Sequence, residues 1–465
     1  MRRLLLIILL FLFSCNRKGE DNTVLRGFFP NAKDMQVTLY ADDVPIDTAY
    51  LTKDKNFIFN MKLLESKLYN FEIDKNYQYV FLEPKDSLVV YANAFRFAES
   101  ISFSGKGAGV NNFIILQASE FDTQESLFKA YHRLPPVIYK RVMDSICLQK
   151  QKEYNNFVKN NPRLSARARD LALVSATFPI YKEMEIYPFV YQDVDGSAIT
   201  DRLPANFYDY RKRINYNNTF LEYFRPYYSY MVMYVNNLAF TKYTRDRQTL
   251  VDVSREPGFH LEKIKIIDSL FSKGSLRDNL YRNAAYAYVF NIQGHIPYKD
   301  YFDKFAAYNK DNKHKAELDK VFGNVVALQA GKIPPDFDLI DTKGEPTKFS
   351  QIQRQEVTIY YFWSVSQQEL SNLIFDRIAH LKQLFPNVKF VGIDIGQDKH
   401  QWRKQIERTK WTDQYHSINF MDLSQKFLIN NINKSLIIDK NGRIISAFED
   451  IFSPNLEKIL LLKES

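Results

Sequence analysis

The feature that most constrains the fold is a regular alternation of strand and helix patterns in the last third of the chain, residues 331–465. An uninterrupted apolar run, Val357–Trp363, is typical of a buried strand, and an amphipathic helical pattern follows from Gln367 to about Leu384. The same alternation continues with strands predicted at 388–395, 417–421, 436–439 and 443–448, and with helices at 400–408, 423–428 and 455–462. This pattern predicts an α/β sandwich.

Four ordered motifs give this region a family resemblance. They are the opening segment Gly331–Asp341, the strand Tyr360–Ser364, the strand end Val391–Asp394 and the hairpin Leu436–Gly442. In this order they resemble the membrane-anchored thioredoxin-like reductases of the TlpA type. The resemblance covers residues 331–465 only, and it implies a thioredoxin-like fold for them.

The family's redox chemistry depends on a CxxC pair at the start of the helix that follows the apolar strand. The helix N-terminus favours a thiolate at the first cysteine, and the second cysteine resolves the mixed disulfide. In this chain the corresponding positions are occupied by Gln367, Gln368, Glu369 and Leu370. The family's cis-proline corresponds to Asn433. We therefore expect a redox-inactive domain in a protein that is not an enzyme.

Cysteine usage supports this expectation. The chain has two cysteines, Cys15 and Cys147, and no cysteine follows position 147. Cys147 lies in a helix predicted from Val142 to Val158, where a lone cysteine is typically a small buried apolar residue. A reactive thiol at Cys147 is the alternative. If Cys15 is consumed by lipid, no internal disulfide or cysteine-based metal site can form.

The N-terminus has the pattern of a signal peptide. Arg2 and Arg3 precede ten apolar residues, Leu4–Phe13, whose helical rise of about 15 Å is too short for a bilayer core of about 30 Å. The following Ser14-Cys15 resembles the bacterial lipobox, although Phe13 is unusual there. The resemblance implies a signal peptide at 1–14, lipidation of Cys15 and a tether at 15–22. An ordinary secreted protein is the alternative.

Residues 23–108 have a β pattern. Short runs rich in aromatic and β-branched residues are separated by turn-like segments, and they predict strands at 23–29, 36–40, 56–62, 69–73, 77–82, 87–93 and 101–104. The spacing suggests an antiparallel sandwich or a small barrel. The order resembles the uncharacterised domain that often precedes TlpA-type modules in Bacteroidetes lipoproteins. The glycine-rich stretch 105–109 is interpreted as a linker.

Residues 109–330 have apolar residues at three- and four-residue intervals, which predicts a helical region. Helices are expected near 142–158, 171–178, 217–243, 261–272, 276–291 and 298–329. A dense tyrosine cluster lies in this region, at Tyr223, Tyr227, Tyr228, Tyr230 and Tyr234. We interpret it as helix packing, with a docking face for a partner or a glycan as the alternative. The whole chain is thus expected to be a multidomain α+β protein.

Other chemistries find little support in the sequence. The formal charge of +9 is spread along the chain without a Lys/Arg run, which argues against nucleic acid as a partner. The seven histidines show no metal-ligand spacing, and we expect neither a metal nor a cofactor. His400 and His416 are interpreted as surface residues, and Asp394 and Asp439 as structural carboxylates at strand ends.

The leading hypothesis is a non-catalytic, lipid-anchored protein of the cell envelope. Its thioredoxin-like domain would serve as a scaffold or protein-binding module, with a groove at Trp363, Gln367 and Asn433 for an envelope protein partner. The alternatives are an accessory of a thiol-disulfide redox system and an accessory lipoprotein of an outer-membrane uptake complex. An outer-membrane location is preferred, and the sequence does not decide its face or identify a small-molecule ligand.

Overall fold

The structure, a computed structural model, describes residues 22–191, 199–245, 253–291, 298–354, 357–396, 398–409 and 411–464. The predicted signal peptide, most of the tether and Cys15 lie outside these residues. The chain divides into two compact units. The first holds the described residues up to Met233 and the second those from Tyr234 onward. The predicted helical region, 109–330, is therefore shared between the two units.

The first unit begins with a β-sandwich. Its elements are β1 (Thr23–Phe28), β2 (Gln36–Ala41), β3 (Val44–Tyr50), β4 (Asn56–Met61), β5 (Lys67–Ile73), β6 (Asn76–Leu82), β7 (Ser87–Tyr91), the short helix α1 (Phe97–Ser100) and β8 (Ser102–Lys106). The strands form two four-stranded sheets in the orders β4-β1-β7-β8 and β3-β2-β5-β6. All pairs are antiparallel except β1 with β7, which run parallel. The sandwich prediction is confirmed, with that one parallel pair as an addition.

The interior of the sandwich is aromatic. Alternate residues of the strands point inward, and Phe29 stacks on Phe57 with ring centroids 5.1 Å apart. Strand β3 was not predicted from the sequence. Its residues are almost all exposed, so it lacks the apolar alternation by which a half-buried strand is recognised.

The stretch 105–109 is a strand-to-helix junction, and its interpretation as a linker was wrong. Gly105 and Lys106 belong to the end of β8, and the next helix begins at Ala108. Between them Gly107 has a φ of +97°, in the left-handed region that glycine adopts without a steric penalty. A side chain at this position would also collide with Leu88.

The helices of the first unit are α2 (Ala108–Thr123), α3 (Glu125–Tyr131), α4 (Pro136–Asn160), α5 (Ala166–Val190) and the first part of α6 (Arg225–Thr244). The tyrosine cluster packs in the interior, as interpreted, because Tyr227 and Tyr230 are fully buried. The carboxylate of Glu185 is also buried, and it accepts hydrogen bonds from Tyr210 and from the guanidinium of Arg211. These polar contacts compensate the burial of the charge.

The second unit contains four further helices: α7 (Pro257–Leu270), α8 (Ser275–Asn291), α9 (Tyr298–Tyr308) and α10 (Lys315–Ala327). A single helix was expected over 298–329, but the chain turns between α9 and α10. Buried Asn309 and Asn312 hold this turn, with Asn312 Nδ2 at 2.6 Å from Asn309 Oδ1. Asparagine side chains compete for hydrogen bonds with a continuous helix, which explains the break.

A seven-stranded mixed sheet completes the second unit. Its elements are β9 (Asp338–Ile340), β10 (Pro346–Lys348), β11 (Val357–Trp363), α11 (Gln368–Leu384), β12 (Val388–Asp394), α12 (Lys399–Thr409), β13 (Gln414–Ser417), α13 (Phe420–Phe427), β14 (Lys434–Asp439), β15 (Ile444–Asp450) and α14 (Pro454–Glu464). The strand order is β10-β9-β13-β12-β11-β14-β15. The α/β prediction for this region is confirmed. Every residue of the interior strand β11 is buried, which explains its continuous apolar pattern.

One strand of this sheet was misplaced. The prediction put it at 417–421, whereas β13 spans Gln414–Ser417. Ile418 and Met421, whose apolar character suggested a strand, are exposed, and Met421 lies in α13. The short hairpin β9–β10 was not predicted, because three residues per strand are too few to show an alternation.

Among the helices that the structure describes, none has both the length and the apolarity needed to cross a bilayer.

Candidate functional site

The candidate site lies at one edge of the seven-stranded sheet. Strands β11 and β12 run parallel and end there together, with Trp363 paired to Asp394. Strand β14 runs antiparallel to β11 and begins at the same edge, where Ser435 pairs with Tyr361. The topology thus brings the start of α11 and Asn433 to one edge, where open α/β sheets commonly bind ligands.

Two serines shape the turn from β11 into α11. The hydroxyl of Ser364 accepts a hydrogen bond from the amide of Ser366 at 3.4 Å and caps a 3-10 turn, Val365–Gln367. The buried hydroxyl of Ser371 accepts from the amide of Ser364 and donates to its carbonyl, at 3.1 and 2.9 Å. These bonds fix where the chain leaves the sheet and how α11 begins.

The four positions that the sequence resemblance assigns to a CxxC motif lie at this turn. Gln367, Gln368 and Glu369 are exposed, and Leu370 is half-buried. Gln367 makes no side-chain cap for α11, and Glu369 places a carboxylate in the first helical turn. A helix N-terminus favours negative charge, so here its field acts on a carboxylate. None of these four side chains is a nucleophile of the thiol type.

Asn433 connects the start of β14 with the end of β15. Its Nδ2 donates to Asp450 Oδ2 at 2.6 Å, and its carbonyl accepts from the amide of Ile451 at 2.8 Å. The Ile432–Asn433 peptide bond is trans. A cavity of about 150 Å³ opens beside it, lined by Val289, Phe290, Leu428, Asn430, Asn431, Asn433, Lys434, Phe448, Glu449 and Asp450.

Lys434 is the cation of this cavity. Its Nζ donates to the carbonyl of Phe427, and it lies 3.4 Å from the carbonyl of Leu428 and 4.4 Å from the ring centroid of Phe448. The amine thus satisfies carbonyls at the end of α13. Burial lowers the pKa of Lys434 to about 7.

The structure corrects one member of the expected groove. Trp363 is 1% exposed, and its Nε1 donates to Gln414 Oε1 at 3.1 Å. Gln414 Nε2 in turn donates to the hydroxyl of Tyr361 at 2.8 Å. A Cβ at Gly392 would collide with the Gln414 amide, so a larger residue there would displace this amide from its hydrogen bonds. Because Trp363 packs in the core, only Gln367 and Asn433 of the three residues can be reached by a partner.

Asp394 and His416 form a buried pair that the sequence interpretation missed. His416 Nδ1 is 2.7 Å from Asp394 Oδ2, and His416 is 5% exposed, so its interpretation as a surface residue was wrong. The amide of Gly396 donates to Asp394 Oδ1 at 3.2 Å, and the ring of Trp402 lies 5.3 Å from that of His416. Correct placement of β13 would have revealed the pair, because Asp394 and His416 are register partners.

The other two residues considered in the sequence, His400 and Asp439, lie where the sequence interpretation put them. His400 is exposed, and the carboxylate of Asp439 accepts a hydrogen bond from the amide of Arg443 at 2.8 Å in the β14–β15 turn.

Cys147 lies half-buried on α4, beside the apolar cluster of Phe128, Tyr139 and Met143. Burial raises the pKa of its thiol to about 12, so the reactive thiolate is disfavoured. In the part of the chain that the structure describes, no three histidine, cysteine or acidic residues are grouped as metal ligands.

Comparison with known families gives one match. Residues 355–444 match the family described as thioredoxin-like. The match spans β11 to the start of β15, which includes the candidate site. No curated protein matches the chain.

Several solved structures resemble part of the chain in fold alone. The thioredoxin domain of a thiol-disulfide oxidoreductase from Bacteroides vulgatus is 17% identical, with 29% of this chain and 99% of that chain covered and a TM-score of 0.24. A domain described as a possible thiol-disulfide isomerase from Cytophaga hutchinsonii is 23% identical, covers 30% of this chain and 94% of that chain, and has a TM-score of 0.25. A thiol:disulfide interchange protein from Bacteroides sp. is 18% identical, with coverages of 26% and 81% and a TM-score of 0.23. The family match and the seven-stranded sheet identify the C-terminal region as a thioredoxin-like domain.

Proposed function

We propose that this protein is a non-catalytic, lipid-anchored component of the cell envelope whose thioredoxin-like domain binds a protein partner. The observation that carries the proposal is the start of α11. Gln367, Gln368 and Glu369 are presented to solvent there, on a rigid turn, without a nucleophile. The only described cysteine, Cys147, belongs to the first unit and has a raised pKa. Recognition without thiol exchange fits this arrangement.

The binding groove is proposed between Gln367 and the cavity at Asn433. Amide side chains at Asn430, Asn431 and Asn433 can donate and accept hydrogen bonds, as the backbone of an extended peptide requires. Phe448 and Phe290 add apolar surface to the cavity wall. A mixed lining of this kind suits a peptide segment that carries alternating polar and apolar groups.

The proposal can be tested by site-specific photo-crosslinking of the full chain in native membranes. A photoreactive amino acid is placed at Gln367 or Asn431 and, as a matched control, at exposed Asn441 in the β14–β15 turn. Asn441 lies at the opposite end of the sheet. We expect one discrete crosslinked protein from the first two positions and none from the control. No adduct from Gln367 and Asn431, or the same adduct from all three, would contradict the groove.

A reductase assay on the same preparation tests the non-catalytic part. Because the pKa of Cys147 is raised to about 12, we expect no reduction of insulin disulfides above background. Measurable reduction that is abolished by Cys147→Ser would overturn this part of the proposal. The crosslinking and reductase results are independent, so each part can fail alone.

The membrane anchor is proposed at Cys15. The mature chain should carry a mass increment of acyl groups on its first residue, and Cys15→Ser should release the protein from the membrane fraction. We place the anchor in the outer membrane. Fractionation of envelope membranes by density tests the location, and an inner-membrane position would contradict it.

A second candidate is an accessory of a thiol-disulfide redox system. The observation that favours it is the thioredoxin-like match at residues 355–444. Identification of the crosslinked partner separates the two candidates. A partner with its own CxxC pair supports the redox accessory, whereas a transporter subunit supports an accessory of an uptake complex.

A further inference from the structure

The outward face of the sheet β4-β1-β7-β8 in the first unit has an unusual composition. One face of a sandwich sheet is normally polar because it contacts water. Here the outward positions of the four strands hold Val24, Arg26, Phe28, Asn56, Ile58, Asn60, Ser87, Val89, Tyr91, Ser102, Ser104 and Lys106. This set, which we call the outer face, combines apolar and aromatic residues with small polar ones.

The apolar residues of the outer face are adjacent to one another. Phe28 and Tyr91 are register partners on parallel strands, with ring centroids 6.0 Å apart. Ile58, which is 58% exposed, lies opposite Arg26, and Arg26 pairs with Val89 on its other side. Contiguous exposed apolar groups of this kind mark surfaces that bind proteins or membranes.

The charge of the outer face is entirely positive. Its two charged residues are Arg26 and Lys106, and none of the outward positions is acidic. Lys106 lies 3.5 Å from Asp86, a carboxylate that is itself buried. Arg26 has no ion-pair partner among the described residues. An unpaired guanidinium amid apolar side chains suits a surface rich in anionic groups.

A groove of about 370 Å³ extends the outer face toward the end of β3. Its walls include Arg26, Phe28 and Ile58 from the face and Tyr50 from β3, which is 72% exposed. Aromatic residues with a polar end, such as tyrosine, are enriched where a bilayer meets water. The groove therefore has the character of an interfacial surface.

Strand β1 lies close in sequence to the proposed anchor. Seven residues lie between Cys15 and Thr23, and the eight residue steps from one to the other span at most about 28 Å when extended. The strand itself is central in its sheet. A lipid on Cys15 would therefore hold the outer face within a short distance of the bilayer surface.

We propose that the outer face binds the surface of an anionic lipid bilayer, with Phe28, Ile58 and Tyr91 among the headgroups and Arg26 on lipid phosphate. The location of the membrane rests on the proposed lipid anchor. A second copy of the chain fits the face less well, because a two-fold interface would set two such basic faces against each other without a carboxylate.

The test uses the full mature chain with Cys15→Ser, which cannot be acylated, and sedimentation with vesicles. Vesicles of phosphatidylethanolamine with phosphatidylglycerol provide an anionic surface, and vesicles of phosphatidylethanolamine with phosphatidylcholine provide a neutral one. We expect binding to the anionic vesicles, weakened at high salt because surface charges are then screened. Absence of binding to the anionic vesicles, or equal binding to both kinds, would overturn the proposal.

Variants of the outer face sharpen the test. Phe28→Ser with Ile58→Ser should lower vesicle partitioning about tenfold, and Arg26→Glu about fivefold. Leu64→Ser is the matched control, because Leu64 is 91% exposed but lies outside the face. Thermal unfolding verifies that all variants fold. Equal loss in the control, or no loss in either outer-face variant, would contradict the assignment.

The vesicle-binding test of the outer face can fail independently of the test of the proposed lipid anchor. Acylation of Cys15 is read from the mass of the wild-type protein, independently of vesicle binding. If the wild-type chain is acylated but its Cys15→Ser form does not bind vesicles, the proposed anchor is supported. The same result would exclude the outer face as a lipid-binding surface. Vesicle binding without acylation in the wild type would support the outer face and overturn the anchor.

Discussion

The interior and the edge of the seven-stranded sheet differ in how far they follow the thioredoxin-like pattern. In the interior, every residue of β11 is buried, and Trp363, Gln414 and Tyr361 form a hydrogen-bonded chain. At the edge, the sequence resemblance assigns Gln367 and Leu370 to the positions of the family's cysteines and Asn433 to that of its proline. The interior is constrained by packing, since a change there costs folding energy. The edge is constrained by chemistry and can change when that chemistry is lost.

Restoring the chemistry is the strongest test of this contrast. Gln367→Cys combined with Leu370→Cys should place two thiols at the start of α11, where the helix N-terminus lowers a thiol pKa. We expect a disulfide between them and a gain of insulin-reductase activity from background, detected by thiol titration and turbidity. The single variant Gln367→Cys is the control. A folded double variant that forms no disulfide would show that the interior no longer supports a redox geometry.

The interior should respond strongly to loss of packing. Trp363→Ala removes the ring that contacts Phe375, with centroids 5.2 Å apart, and leaves the Gln414 oxygen without its donor. We expect the free energy of unfolding to fall by about 3–5 kcal/mol, measured by denaturant titration. Trp363→Phe, which keeps most of the ring volume, should cost less. Equal costs for the two variants would mean that ring packing contributes little.

The Asp394–His416 pair is buried but lies at the edge of the sheet where β12 ends, so it borders both the interior and the exposed site. Asp394→Ala would leave His416 Nδ1 and the amide of Gly396 without their acceptor, and we expect a loss of about 2–3 kcal/mol. Exposed Asp376 on α11 provides the control, because Asp376→Ala should have little effect. A loss of unfolding free energy as small as that of the control would show that the pair does not contribute to the stability of the interior.

Lys434 should make the stability of the edge depend on pH. Its pKa is about 7 in the folded protein against an ordinary value of 10.5, so the unfolded chain binds the extra proton between these values. Stability should therefore rise with pH across this window, by up to about 1.4 kcal/mol per pH unit. Lys434→Met should remove the part of this slope that Lys434 contributes, as followed by denaturant titration at several pH values. Lys263, whose pKa is also lowered to about 7 by burial, should keep its own part. An unchanged slope would show that the ammonium stays charged, held by the carbonyls of Phe427 and Leu428.

The exposed edge itself should tolerate change. Gln367→Ala removes a side chain that does not cap α11, and we expect the free energy of unfolding to change by less than about 0.5 kcal/mol. The same variant should weaken recovery of the proposed partner, measured by crosslinking from Asn431. A large loss of stability would show that Gln367 contributes to folding in the way that interior residues do.

The sequence predicts the elements that have a continuous apolar run or a clear amphipathic period. Burial on both faces imposes the first pattern, and burial on one face imposes the second. Strand β11 was predicted with its observed bounds, Val357–Trp363, and α11 within one residue. Strand β3 was not predicted, because its exposed residues follow no apolar period. The start and end of each short element depended on tertiary contacts that a local pattern does not contain.

The site shows the same division. The assignment of residues 367–370 and 433 to the family's site rests on ordered motifs in the sequence, and it stays a prediction. The pairing of Asp394 with His416 was missed, because it depends on β13, which was placed three residues too late. Trp363 was assigned both to a buried strand and to the groove, and its burial rules out the second assignment. The cavity beside Asn433 includes Val289 and Phe290, which are distant in sequence and became neighbours only through the fold.

The parallel pairing of β1 with β7 sets an order of events during synthesis of the chain. Strand β1 is the first to emerge, yet it lies between β4 and β7 and cannot complete its ladder until both have arrived. Contacts between such distant parts of a chain form slowly, since the intervening loop must close first. The β-sandwich should therefore assemble only after Lys106 of β8 is available.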